Sequence, residues 1–147
     1  RRYFYEYMTR NKIMSKHVNL FYIDLDNFKK INDEYGHQAG DTVLVMVAKL
    51  LKQTFGAEFI ARVGGDEFLA VVLGSKPDAE LAFLAERFLS SLQQTIADNA
   101  KFAVLSASIG IAVSNALTDV DLLIRQSDSA LYEAKRNGKK QYKIYHK

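Results

Sequence analysis

The chain has 147 residues with 48% hydrophobic content, enough for one domain, residues 1–147, around a single core. Its net charge of +3 suits phosphorylated small molecules as well as nucleic acid, so charge excludes neither class. Without cysteine it forms no disulfide or thiolate zinc site, and no apolar run reaches the roughly 20 residues that cross a bilayer, so we expect a cytoplasmic segment without direct membrane insertion.

The first part of the chain predicts one helix before a buried strand, a short helix after it, and then a longer helix. Aromatic residues at helical spacing favour a helix over 3–14. The almost continuously apolar run Val18–Leu25 is typical of a strand covered on both faces. A short helix over about Asn27–Tyr35 should stop at Gly36, and Asp41 should lie at the start of a longer helix.

A hairpin is the strongest local prediction. The β-rich runs Phe59–Val63 and Phe68–Leu73 are separated by Gly64-Gly65-Asp66-Glu67. Glycine supplies the positive φ values that tight turns require, so we expect these two strands to pair.

The chain after the hairpin predicts a helix, then a strand. Ser75 with Asp78 three residues later resembles a capping box, and Pro77 lies near the first turn of the helix. Apolar residues then alternate with serines from Leu105 to Val113, which favours another strand.

The last part predicts a helix over about Asp119–Asn137, ended by Gly138, and a strand at Tyr142–Tyr145. The whole order favours an α+β fold. We expect a ferredoxin-like palm, with about five mainly antiparallel strands in the sheet, surrounding helices, and its core helices on one face.

Two acidic pairs stand at predicted strand ends: Asp24 with Asp26, and Asp66 with Glu67. Carboxylates suit Mg²⁺ or Mn²⁺, which keep waters and substrate phosphates as their other ligands. Two such ions can activate a hydroxyl and stabilise a leaving oxygen in phosphoryl transfer. The alternative is structural, because Asp is a common turn residue.

The junction after Asp24 offers a second signal. Its backbone N–H groups and a lysine, at a strand-to-helix turn, suit an anion such as phosphate. A carboxylate can accept from both N1–H and the amino group of guanine, so Asn32 and Asp41 together favour GTP over ATP.

Four segments follow one another along the chain: DLDNFKKINDEYGHQAGD at 24–41, RVGGDEF at 62–68, SIGI at 108–111 and SDSALYEAK at 127–135. In these segments the chain resembles the GGDEF family of diguanylate cyclases, over essentially all of its 147 residues. The resemblance implies metal ligation by the side chains of Asp24 and Asp66 and by the Leu25 carbonyl. Glu67 would ligate metal or assist deprotonation, and two Mg²⁺ or Mn²⁺ ions would serve each site.

The resemblance also assigns residues to GTP. The implied guanine-pocket residues are Asn32, Asp41, His37 and Phe28. Lys29 would act in catalysis by neutralising the charge that develops on the phosphates, and Lys135 and Lys139 would bind the terminal phosphates. Gly64 and Gly65 would leave space beside the nucleotide. Four further residues are expected to have supporting roles: Asp26 behind the site or in the fold, Asp128 in the fold, and Leu131 and Tyr132 in the core.

The chain departs from the family pattern in three places. The Arg-x-x-Asp product-binding motif is replaced by Phe55-Gly56-Ala57-Glu58, so feedback inhibition should be absent or weak. The N-terminal Asp-x-Leu-Thr-Gly-Leu part of the pattern is missing. Gly138-Lys139-Lys140 stands where Gly-Arg-Asn is usual, which keeps a cation without the planar guanidinium.

These observations predict an enzyme that condenses two GTP molecules into cyclic di-GMP and two pyrophosphates across a homodimer. The resemblance further implies an upstream sensory domain in the parent protein, whose membrane attachment stays open, and no nucleic-acid partner. One alternative is a catalytically silent GGDEF domain that binds GTP or acts as a regulatory interaction module. Another is a palm-like polymerase or adenylyl cyclase relative.

Overall fold

Five strands form one mixed sheet in the residues that the structure, a computed structural model, describes, which are 2–56 and 59–146. The strands are β1 Val18–Asp26, β2 Phe59–Arg62, β3 Glu67–Leu73, β4 Ser106–Val113 and β5 Tyr142–Ile144. The α-helices are α1 Arg2–Arg10, α2 Phe28–Tyr35, α3 His37–Phe55, α4 Asp78–Ile96 and α5 Val120–Arg136. No helix in these ranges is long and apolar enough to span a membrane.

β1 is the central strand of the sheet, whose order is β2-β3-β1-β4-β5. It pairs antiparallel with β3 and with β4, and β2 pairs antiparallel with β3. Only β5, which runs parallel to β4, breaks this pattern. The α+β palm prediction is therefore confirmed, with a mainly antiparallel sheet.

Helices cover both faces of the sheet: the core helices α2, α3 and α4 pack on one face, as expected, and α1 and α5 cover the other. Phe21 of β1 packs toward α3 and α4, where it joins Phe88 in one core cluster. Its neighbour Tyr22 points to the opposite face and packs with Phe4 of α1 and Leu131 of α5. Successive strand residues alternate between faces, and an apolar strand needs cover on both.

The capping-box prediction for α4 is wrong. The helix begins at Asp78, after Pro77, and no side chain caps it. Its first bonds run to the Pro77 carbonyl, from the N–H groups of Glu80 at 3.0 Å and Leu81 at 3.2 Å. Ser75 therefore lies too far ahead of the first turn to cap it.

α3 also begins earlier than predicted, at His37 directly after Gly36. Gly36 has a φ of +90°, which lets the chain leave α2 and enter α3 without a loop. Asp41 consequently lies one turn inside the helix and not at its start.

The end of α5 is confirmed at Gly138, and it fixes where the basic C-terminal residues lie. Gly138 has a φ of +114°. The Lys139 N–H donates to the Ala134 carbonyl at 3.0 Å, and the Gly138 N–H to the Lys135 carbonyl at 3.4 Å. This is the double hydrogen bond of a Schellman motif, in which glycine adopts the left-handed conformation most easily.

α5 lies directly on β4. A Cβ atom added to Gly110 would overlap the Ser127 carbonyl and the Leu131 backbone nitrogen. Glycine at this position therefore permits backbone-to-backbone contact between strand and helix. The contact brings one side of α5 over the end of the central strand, beside Asp24.

Candidate active site

The acidic residues of β1 and of the hairpin meet at one end of the sheet. Asp24 is the register partner of Glu67 across the β1–β3 pairing. Beyond this pair, the Leu25 N–H donates to the Asp66 carbonyl at 3.0 Å. The two segments that sequence analysis assigned to metal binding, 24–25 and 66–67, are thus joined by the sheet itself.

The hairpin turn forms without the backbone conformation predicted for it. Neither Gly64 nor Gly65 has a positive φ, so that expectation is wrong. Instead, Arg62 Nε donates to the carbonyls of Gly64 at 3.1 Å and Gly65 at 3.2 Å. A Cβ on Gly64 would lie 2.8 Å from Glu67 Oε1, whereas one on Gly65 would meet no atom within 4 Å. Glycine at position 64 therefore makes room for the Glu67 side chain.

Asp24 lies in a strongly negative environment. Burial, with 20% of its side chain exposed, raises the pKa of Asp24 to about 6, although the Lys135 charge opposes this rise. The charges of Asp66 and Glu67 raise the pKa further. Glu67 itself accepts a hydrogen bond from the Tyr22 hydroxyl at 3.2 Å. A cation bound here would offset the cost of burying the Asp24 charge and would reduce its repulsion by Asp66 and Glu67.

Lys135 supplies the positive charge beside these carboxylates. Its Nζ lies 3.5 Å from Asp24 Oδ1 and 2.7 Å from Asp26 Oδ1. Lys139, predicted with it as a phosphate ligand, is exposed in the loop after α5. Of these two predicted cations, the structure therefore brings Lys135 into contact with the acidic cluster.

Asp26 is the buried support that sequence analysis expected, and its carboxylate accepts four hydrogen bonds. The donors are Ser106 Oγ at 2.7 Å, Ser108 Oγ at 2.8 Å, Lys135 Nζ at 2.7 Å and the Lys140 N–H at 3.1 Å. Burial acts to raise the pKa of Asp26, but the hydrogen bonds from Lys135 and the two serines outweigh it, so the pKa lies below its ordinary value.

A cleft of about 420 Å³ opens over this cluster, between the sheet end and α5. It is lined by Asp24, Glu67 and Lys135 together with one face of α5, comprising Arg125, Asp128, Ser129, Leu131 and Tyr132. Tyr132 is 64% exposed, so its predicted place in the core is wrong, whereas Leu131 is buried at 4% as expected.

Apart from Lys135, the residues on the α5 side of the cleft were not predicted from the sequence, and Asp128 was expected to serve the fold. The signal that could have found them is helical spacing. Residues at 125, 128 or 129, and 132 share the face that carries Lys135, since positions three or four apart are neighbours on a helix. Arg125 adds a second cation to this wall.

The predicted guanine residues lie at the α2–α3 junction. Asn32 Oδ1 is buried, and no donor in the described residues reaches it. A Cβ on Gly40 would overlap this oxygen and would lie 3.2 Å from Phe28 Cζ. Gly40 thus leaves space for the Asn32 side chain, and Asp41 follows it on the exposed side of α3. Phe28 is a buried member of the core.

Two predicted residues lie apart from the acidic cluster. Lys29 is exposed on α2 and pairs with Asp33 at 2.8 Å. This hydrogen bond, together with the Asp33 charge, raises the pKa of Lys29. His37 is exposed at the first position of α3. Neither side chain lines the cleft.

The donor set fits a hard divalent cation that brings its own further ligands. No group of three or more His, Cys, Asp or Glu side chains forms a ready metal cage in residues 2–56 and 59–146. Asp66 and Glu67 are nonetheless close enough to Asp24 for their charges to raise its pKa. Mg²⁺ is usually held by one or two carboxylates plus water and phosphate, not by a full protein cage.

Comparison with known proteins identifies the family. Residues 1–141 match the family described as "Diguanylate cyclase, GGDEF domain". The match covers far more than half of the chain, so the chain belongs to the GGDEF family. Diguanylate cyclases of this family are generally metal-dependent.

Individual relatives agree with this assignment. Diguanylate cyclase DgcS of Shewanella oneidensis is 39% identical over 128 residues, which are 86% of this chain and 42% of that protein. The active GGEEF domain of a diguanylate cyclase from Vibrio cholerae has a TM-score of 0.77 at 33% identity, covering 95% of this chain and 90% of that one. The GGDEF domain of DgcB from Caulobacter crescentus, solved in complex with c-di-GMP, has a TM-score of 0.80 at 25% identity, covering 93% and 82%.

The chain spans less than half the length of the curated relatives it matches first. These relatives therefore carry segments beyond the one described here.

Proposed function

We propose that residues 1–147 are one GGDEF domain that condenses two GTP molecules into cyclic di-GMP with release of two pyrophosphates. The observation that carries the proposal is the pairing of Asp24 with Glu67 across β1 and β3, with Lys135 beside Asp24 in the cleft that all three residues line. This places negative ligands and a cation at one open site, as phosphoryl transfer requires.

In the proposed reaction, the 3′-hydroxyl of each GTP attacks the α-phosphate of the other. Two Mg²⁺ or Mn²⁺ ions, when bound, would lower the pKa of the attacking hydroxyl and stabilise the leaving pyrophosphate. Asp24 and Asp66 would hold these ions through their side chains and Leu25 through its carbonyl. Glu67 would complete the ligand set or take the proton of the attacking 3′-hydroxyl. The Tyr22 hydroxyl, which donates to Glu67 Oε1, would hold its side chain in place.

The proposed guanine site is the α2–α3 junction. Asn32 Oδ1 is a buried acceptor without a protein donor, and an unsatisfied buried acceptor is costly unless a ligand donor reaches it. The guanine amino group is such a donor, and Asp41 would accept from the same edge. Phe28 would pack beneath the base, with His37 at the pocket rim.

The proposed phosphate ligands come from two sides. Lys135 already lies at the cleft, and Lys139 follows it in the loop after α5. Lys29 would exchange its surface partner Asp33 for phosphate charge. An exposed ion pair of this kind contributes little stability, so the exchange costs little.

Catalysis would need a second copy of the domain, because each copy holds one of the two reacting nucleotides. The domain would work in the cytoplasm, where GTP is available, under control of sensory regions in the parent protein that favour dimerisation. A concentration series tests this directly, since the rate per molecule should rise with protein concentration until the dimer saturates.

The deciding experiment is incubation of concentrated or artificially dimerised protein with GTP and Mg²⁺. Cyclic di-GMP is identified by mass, and pyrophosphate is measured by a coupled assay. We expect two pyrophosphates per cyclic di-GMP, with ATP as an inactive control. Binding of GTP without pyrophosphate release would overturn the enzyme assignment in favour of a silent, regulatory GGDEF domain.

A further inference from the structure

The carboxylate of Asp26 connects three parts of the chain that are distant in sequence. Its donors come from Ser106 and Ser108 of β4, from Lys135 of α5 and from the backbone of Lys140 beyond α5. The Asp26 side chain is 0% exposed. Asp26 is not among the residues that line the cleft, so it influences a ligand there without touching it, through its charge and through its partners.

Lys135 is the partner that reaches the cleft, and it is shared unequally between two carboxylates. Its Nζ is 2.7 Å from Asp26 but 3.5 Å from Asp24. The shorter contact is a charge-assisted hydrogen bond to a carboxylate withdrawn from water, which is the stronger kind. The longer contact places a positive charge near Asp24 but leaves its carboxylate able to accept another ligand.

The loop after α5 is held by the same carboxylate. Lys139 and Lys140 have φ values of +63° and +53°, a left-handed conformation that is strained for a lysine. The Lys140 N–H bond to Asp26 offsets this strain. One buried acid therefore fixes both Lys135 and the backbone next to Lys139.

We propose that Asp26 is a positioning residue that keeps Lys135 from closing on Asp24, so that Asp24 remains open to a divalent cation. The inference deepens the proposed function, on which it rests, by assigning the control of cation access to a side chain that touches neither cation nor substrate. Without the negative charge of Asp26, Lys135 would pair with Asp24 alone and compete with the cation for it.

The test is titration of the purified chain with Mn²⁺ alone, following free Mn²⁺ by electron paramagnetic resonance. Asp26→Asn keeps the shape of the side chain and removes its charge. We expect it to weaken Mn²⁺ binding about tenfold, the scale of one charge-assisted contact. Lys135→Met in the otherwise unchanged chain should tighten binding by much less than tenfold, because Asp26 already holds Lys135 away from Asp24.

The double variant Asp26→Asn with Lys135→Met separates positioning from damage to the fold. With both the anchor and the competitor gone, we expect Mn²⁺ to bind at least as tightly as to wild type. Lys140→Gln is the matched control, since only its backbone contacts Asp26, and its affinity should equal that of wild type. A merely structural Asp26 would leave the double variant as weak as Asp26→Asn.

Equal affinity of wild type and Asp26→Asn would overturn the inference. So would a double variant that stays weak. If Asp26→Asn does not fold, the comparison of Lys135→Met with wild type decides, and a tightening of tenfold or more counts against the inference, because it would show that Lys135 already competes for Asp24 while Asp26 is present. Cyclic di-GMP formation by the wild type is measured separately, so failure of the proposed function is distinguished from failure of this inference.

Discussion

Replacing Asp24 by Asn should stabilise the metal-free protein at neutral pH. Burial raises the pKa of Asp24 from 3.8 to about 6 in the folded chain, while the unfolded chain keeps the ordinary value. The difference of about two pKa units corresponds to about 3 kcal/mol. This is an upper value for the cost of ionising Asp24 in the folded protein at pH 7.5.

The direction follows from proton binding. Between pH 4 and 6 the folded chain binds more protons at Asp24 than the unfolded chain, because its pKa is the higher one. The free energy of unfolding therefore falls as pH rises through this window and is level above it. Asparagine carries no charge at any pH, so the Asn variant lacks this fall.

The assay is urea unfolding in EDTA at pH 4 and pH 7.5, with wild type and Asp24→Asn compared at each. We expect the variant to gain up to about 3 kcal/mol at pH 7.5 and almost nothing at pH 4. Asp98→Asn, an exposed position on the surface, is the control and should change stability by less than about 0.5 kcal/mol at either pH. A variant less stable than wild type at pH 7.5, or equally shifted at both pH values, would refute the electrostatic reasoning.

Three further predictions test the site and its packing. Gly40→Ala should displace the Asn32 side-chain oxygen and raise KM for GTP about tenfold or more in steady-state kinetics. An unchanged KM would contradict the proposed guanine site. Gly110→Ala should force α5 away from β4, because the added Cβ would clash with the Leu131 backbone, and should lower the free energy of unfolding by about 1–3 kcal/mol in urea. An unchanged urea midpoint would contradict this packing. Added cyclic di-GMP should leave the initial rate unchanged, because Phe55 replaces the product-binding arginine, and dose-dependent inhibition would show another product site.

The feedback prediction rests on Phe55 for a structural reason as well. Phe55 is buried, with its ring centroid 4.6 Å from that of Phe21 and 6.0 Å from that of Phe88. It therefore serves the core and presents no charge to solvent. Ala57 and Glu58, the last two positions of that predicted departure, lie outside the described residues.

Much of the fold could be predicted from local sequence signals. The apolar run of β1, the glycine-rich hairpin and the Gly138 helix end each depend on neighbouring residues, and each is confirmed. The meeting of Asp24 with Glu67 also follows from the strand pairing once the hairpin is correctly placed.

The features that could not be predicted depend on contacts between residues far apart in the sequence, which local patterns do not encode. The link between Asp26 and Lys135 joins residues 109 positions apart, and no spacing rule reaches that far. Tyr132 is the exception, because its helical spacing from Arg125 and Asp128 would have indicated that it lies on the cleft side of α5. Gly64 was expected to have a positive φ, which it lacks, whereas a Cβ atom at this position would lie 2.8 Å from Glu67 Oε1.

The most direct test of the proposed cyclase is cyclic di-GMP formation by Asp66→Ala beside wild type. Both proteins are assayed at the same high concentration with GTP and Mg²⁺. We expect wild type to form the product and the variant to lose at least about 100-fold in rate, as removal of a metal-binding catalytic group does. A folded Asp66→Ala protein that forms cyclic di-GMP at the wild-type rate would contradict the assignment of the hairpin to catalysis.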